Sequence, residues 1–200
     1  KLIKEKIIYD PVAYEYYLRA KYNYDMIEKR EDVYMIREIL LKAIAIDGKL
    51  IKAKNLLAST YNYTSDYKKA FDLYNKNLNE AERLDDQLSI AESMLGMASY
   101  YGRNSKRDKQ FNYVNKAYKI QKKNNDISGF LKSQHSLAQI HINKIQYDKA
   151  YQLLQSGLNL AINEEDLRNQ YRYHKMLGSY HRLSENFNKD SSLFHLNKAL

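Results

Sequence analysis

Five histidines, His135, His141, His174, His181 and His195, are the side chains of this 200-residue chain best suited to metal ligation or proton transfer. His174 and His181 lie seven apart, a spacing that places both on one helix face. A zinc site needs further ligands, and the chain has no cysteine to supply a thiolate. The absence of cysteine also removes disulfides and thiol nucleophiles. No Gly-rich phosphate loop, His-Glu-x-x-His or Gly-x-Ser-x-Gly stretch occurs. These residues therefore predict no catalytic site, no metal and no cofactor, and the chain is not expected to be an enzyme.

Two other residue classes invite a binding reading. Twenty tyrosines among 33 Lys+Arg are a composition from which base-stacking surfaces are built. Tyr61, Tyr67, Tyr74 and Tyr147, however, fall at helical core spacing, so packing accounts for them and a nucleic-acid partner is not expected. The net charge of +9 admits an acidic partner. Asn62-Tyr63-Thr64 matches a glycosylation acceptor, but no secretory signal accompanies it. No run of about 20 apolar residues exists, so membrane insertion is not expected, and the reading is cytoplasmic. One proline and six glycines argue against collagen, linkers and turn-rich β-sandwiches.

The elements that would position these groups come from internal repetition. A Leu followed by a very small residue recurs in Leu57-Ala58, Leu95-Gly96, Leu137-Ala138 and Leu177-Gly178. The spacings are 38, 42 and 40 residues, so the third unit reads as carrying a two-residue insertion near Asn104–Arg107. Asp86, Asp126 and Asp166 are 40 apart and stand where a carboxylate caps a helix N-terminus. Beyond each phrase the apolar residues keep a 3.6 period, as in Ala70, Leu73, Tyr74, Leu78 and in Ala150, Leu153, Leu154, Leu158, Ala161. Each unit thus reads as helix, short turn, helix, and the histidines His141 and His181 occupy the aromatic position held by Tyr61.

This order of Leu, small residue, aromatic, Tyr, Ala and aromatic resembles the tetratricopeptide repeat family over roughly residues 36–200. In the second unit it is Leu57, Ala58, Tyr61, Tyr67, Ala70 and Tyr74, and in the last Leu177, Gly178, His181, Phe187, Asp190 and Phe194. The family's Trp and its end-of-repeat Pro are absent. The resemblance implies an all-α, right-handed α-solenoid of antiparallel helical hairpins. We expect a single domain over 1–200, with an N-terminal hairpin at 11–47 and repeats at about 50–84, 88–123, 130–162 and 170–200. Asp10-Pro11 marks the first helix start. The stretches Ala13-Tyr14-Glu15-Tyr16-Tyr17-Leu18 and Lys42-Ala43-Ile44-Ala45-Ile46-Asp47 are similar to the first repeat of sensor regions attached to bacterial class III nucleotide cyclases. The chain opens at Lys1 and its last helix stops at Ala199-Leu200 without a polar capping face. It is therefore expected to be a piece of a longer chain, or to cover that end with another molecule, a second copy included.

In this family the first helices of successive repeats line a concave groove, facing it at fixed offsets around the small residue. Those offsets select Lys52, Asn55, Ser59 and Asn62; then Ile90, Ser93, Met97 and Tyr100; then Lys132, His135, Gln139 and Ile142; then Arg172, Lys175, Ser179 and Arg182. Five of the sixteen are Lys or Arg and none is acidic. The candidate partner-binding residues are accordingly Lys52, Asn55, Asn62, Lys132, His135, Gln139, Arg172, Lys175 and Arg182. Arg172, Lys175 and Arg182 share one helix face, and guanidinium suits carboxylates. The resemblance implies a scaffold or sensor module that binds a protein or peptide segment, acidic in character. The other readings it leaves open are the regulatory region of a larger signalling enzyme, such as a cyclase or kinase, and a peptide-pheromone receptor domain. Lys and Asn marking chaperone-tail-binding members are matched early only by Asn55, which argues against that ligand.

Overall fold

The computed structural model describes residues 8–183 and 189–199. Among these, ten α-helices and no strand are present: α1 Pro11–Asp25, α2 Asp32–Ile46, α3 Ile51–Tyr63, α4 Tyr67–Arg83, α5 Gln87–Arg103, α6 Arg107–Lys123, α7 Ile127–Asn143, α8 Tyr147–Asn163, α9 Leu167–Leu183 and α10 Lys189–Lys198. Phe187 lies outside the described residues.

One three-residue link is used again and again. Its middle residue has positive φ at Ser65, Asp85, Ser105, Asn125, Ile145 and Glu165, every 20 residues. Its last residue sends its N–H back to a carbonyl of the finished helix: Asp66 to Tyr61, Asp86 to Ala81, Lys106 to Tyr101, Asp126 to Gln121, Gln146 to His141 and Asp166 to Ala161, all at 2.9–3.0 Å. This is the left-handed C-cap, which satisfies otherwise unpaired carbonyls. Where that last residue is Asp, its carboxylate also opens the next helix. Asp66 accepts from the Lys69 N–H, Asp86 from Ser89, Asp126 from Gly129 and Asp166 from Asn169. The same carboxylate capping starts α1, where Asp10 accepts from Val12 and Ala13 before Pro11 at the first position.

This 20-residue beat corrects the register of the third unit. The link between α5 and α6 has the same three residues as its neighbours, so there is no insertion near Asn104–Arg107. Forty residues from Ala58 lies Ala98, and 40 from Ala98 lies Ala138. Gly96 is small for a different reason: the Tyr74 ring lies on it, and a Cβ there would stand 2.3 Å from the ring.

The packing divides the chain into two compact units, Lys1–Tyr113 and Val114–Leu200, with the boundary inside α6, where the sequence reads as one array. In the first unit α1 packs on α2, α3 on α4 and α4 on α5. Its core joins Ala13 and Ala20 of α1 with Ile36, Leu40 and Ala43 of α2, Leu50, and Ala53 of α3. In the second unit α7 packs on α8, α8 on α9 and α9 on α10. Its core holds Leu131, Ala138, Leu154, Leu158, Ala161, Tyr173 and Leu177. Fully burying one such leucine contributes about 1.5–3 kcal/mol. On α10, Leu193 and Phe194 remain 47% and 55% exposed, whereas Tyr74, at the matching place in the second unit, is buried.

Candidate binding cleft

Helices α7 and α9 of the second unit run side by side and leave a cleft of about 490 Å³ between their surface side chains. α7 contributes His135, Gln139 and Ile142; α9 contributes Tyr171, Arg172, Lys175, Met176, Ser179, Arg182 and Leu183. The floor is apolar, because Ile142 and Met176 are buried. The rim is cationic, with Lys175 and Arg182 exposed and Arg172 half-buried. Tyr171 and Leu183 add exposed apolar surface beside these charges.

Tyr173 holds the two walls together. Its ring is fully buried, meets His135 edge-on at 5.7 Å, and its hydroxyl donates to the Leu131 carbonyl at 2.8 Å. Gly157 of α8 makes room for it, since a Cβ there would stand 2.2 Å from Tyr173 Cζ. Burial, and then the Arg172 charge, push the His135 imidazole down to about 4. At neutral pH His135 is therefore an uncharged donor and acceptor, and the positive charge of the cleft resides on Arg172, Lys175 and Arg182.

The structure brings His135, Gln139, Arg172, Lys175 and Arg182 together in this cleft. Gln139 donates to Asn143 Oδ1 along the helix at 3.1 Å. Lys132 is exposed on α7 but is not among the side chains that line the cleft. Three expected positions belong to α3 of the first unit: Lys52 and Asn62 are half-buried there, and Asn55 is fully buried.

Several solved structures share this architecture. The apo form of RapI superposes with a TM-score of 0.70 at 16% identity, over 96% of this chain and 69% of that one. BtubC from P. vanneervenii gives 0.63 at 17% identity, over 95% and 73%. The TPR-like repeats of a kinesin light chain from Podosopora anserina give 0.58 at 17% identity, over 93% and 92%. This chain has the tetratricopeptide repeat fold. At such identities the likeness is one of fold. No family model and no curated protein matches the sequence.

Burial separates the groove offsets of the later repeats from those of the third. In the last two repeats, counted from Ala138 and Gly178, seven of the eight offset positions line the cleft, Lys132 being the exception. In the third repeat they fall on the core: Ile90 is 7%, Ser93 0% and Met97 2% exposed. The corrected register replaces them with Glu92, Leu95, Ser99 and Gly102, which adds one acidic residue to a set that read as having none. Asn55 is corrected for another reason. Its side chain is consumed by a buried network, accepting from Asn77 Nδ2 at 3.0 Å and Ser93 Oγ at 2.9 Å while donating to the Ser89 carbonyl at 3.1 Å. It ties α3, α4 and α5 together and offers nothing to a partner. Among the described residues no group of three or more His, Asp or Glu is arranged to hold a metal ion, and no helix is long and apolar enough to cross a membrane.

Proposed function

We propose that the chain is a binding module whose α7–α9 cleft receives a segment of a protein partner bearing acidic side chains. The observation that carries this reading is the cleft's composition: an apolar floor, three cations on one helix face, and no carboxylate among its lining side chains. The apolar floor supplies contact area. Arg172 and Arg182 can engage carboxylates bidentately, and Lys175 adds a point charge. The uneven charge of the chain supports the same reading, because Val114–Leu200 holds 13 Lys+Arg against 7 Asp+Glu, a net +6, while the first 113 residues hold 20 against 17, a net +3. Such an excess steers acidic segments and raises their association rate. Lys132 on the same helix as His135 extends this field, and Lys52 and Asn62 are proposed as partner contacts of the first unit.

The test is a binding titration with fluorescein-labelled helical and extended peptides of matched length, one acidic set and one set with Gln and Asn in place of Glu and Asp. The reading requires preference for the acidic set, weakening with added salt. Equal binding of both sets contradicts it.

A further inference from the structure

Three of the five histidines meet where α10 packs on α9, away from the side chains that line the cleft. His174 Nδ1 and His195 Nδ1 face each other at 2.9 Å. The His195 ring also lies parallel to that of His181, 5.6 Å away with 4° between the planes. A neutral imidazole carries one N–H, so a contact between two Nδ1 atoms is a hydrogen bond only when one of them is bare. A first added proton can go to the far nitrogen of the donating ring and leave the bond intact. A second must place N–H against N–H at hydrogen-bond distance.

The surroundings favour neutrality. From α10, Lys198 faces His174 and pushes it down further than burial alone does. Burial lowers His181. Burial, followed by His174 and His181, brings His195 to about 4. From α8 the facing titratable group is the Tyr151 phenol, 6.0 Å from the His181 ring, and from α9 it is Tyr180, at 5.3 Å. Among the described residues, the groups that shift these histidines are cationic or neutral. Beside the histidines, Ser192 Oγ donates to the Gly178 carbonyl at 2.9 Å, and Leu196 lies over Gly178.

We propose that His174, His181 and His195 form a pH-sensitive latch, which holds α10 on α9 while the His174–His195 pair carries at most one added proton and releases it on further acidification. Release bares the α9 surface around Gly178, a surface hidden at neutral pH. The latch goes beyond the peptide-binding reading and does not depend on it.

The experiment is amide hydrogen exchange by mass spectrometry on the full chain at pH 7.5 and 4.5, corrected for the intrinsic pH dependence of exchange. The latch requires α10 protection to fall on acidification at least about tenfold further than that of α7 and α8, which share the decline that the buried His135 imposes on the whole unit. In His195→Phe, which keeps a ring beside His181 but removes the facing nitrogen, this further fall of α10 protection must shrink below about threefold. Protection of α10 that does not change with pH, or that falls equally in α7 and α8, overturns the proposal. If His195→Phe leaves α10 unprotected at both pH values, the ring-nitrogen NMR titration of the wild-type chain decides. Linked titration of His174 and His195 below pH 6, moving with the α10 amides, upholds the latch, and independent titration near 6.5 overturns it.

Discussion

The Tyr173 hydroxyl donates to the Leu131 carbonyl at 2.8 Å from inside the second unit, and that hydrogen bond links α9 to α7, the two helices that wall the cleft. The ring reaches this position only because residue 157 is glycine. Gly157→Ala should therefore destabilise the unit by about 1–3 kcal/mol through overpacking, read as a lower urea midpoint in chemical denaturation. A neutral effect would mean that the α8–α9 contact is looser than described.

Ile145 is the one β-branched residue in the series of left-handed link positions, with φ of 60°, and it is 70% exposed. Left-handed backbone costs roughly 1–2 kcal/mol for ordinary residues, and Asn bears it more easily. Ile145→Asn, which copies Asn125 one link earlier, should raise stability by about 0.5–1 kcal/mol, measured as a higher melting temperature.

Asn55 gives the opposite sign. Replacing it with Leu leaves Asn77 Nδ2 and Ser93 Oγ buried without their acceptor. The expected loss is about 1–3 kcal/mol, measured by urea denaturation, while peptide affinity at temperatures where the chain is folded stays unchanged. An affinity loss without a stability loss would return Asn55 to the binding surface.

The depressed histidines fix the direction of the pH dependence. His135 and His195 titrate at about 4 in the folded chain, below the value of about 6.5 expected when unfolded. Between these values the unfolded chain binds more protons. Stability is therefore full above pH 6.5 and falls as the pH is lowered towards 4. Thermal melts at pH 7.5, 6, 5 and 4.5 should show a steady decline, and His135→Gln should flatten part of it.

The helical hairpins and their period were readable because the link has strict chemical needs. Each first helix from α5 onward starts on a capping carboxylate, so Asp86, Asp126 and Asp166 keep the 40-residue period even where other residues drift. The third repeat misled because Gly96 is small to accommodate Tyr74, whereas the residue in phase with Ala58 and Ala138 is Ala98. That two-residue slip carried core positions such as Ser93 into the expected groove. Asn55 was misread because a polar side chain satisfied within a buried network has the same one-letter signature as one turned to a partner. His174 and His181 were visible as a pair on one face, but their link to His195 crosses a hairpin whose geometry no local spacing encodes. The cleft of the second unit was legible because α7 and α9 both lay in the correct register.

Binding by the cleft itself is the central claim, and one comparison tests it most directly. The affinity of Arg172→Glu/Arg182→Glu for the acidic peptide set should be measured by fluorescence anisotropy beside the wild-type chain, with circular dichroism confirming unchanged helicity. Losing two charge-assisted contacts and placing like charges in their stead predicts an affinity drop of at least about 30-fold, and a salt dependence that reverses or vanishes. Wild-type affinity with unchanged salt dependence in the double variant would contradict the account.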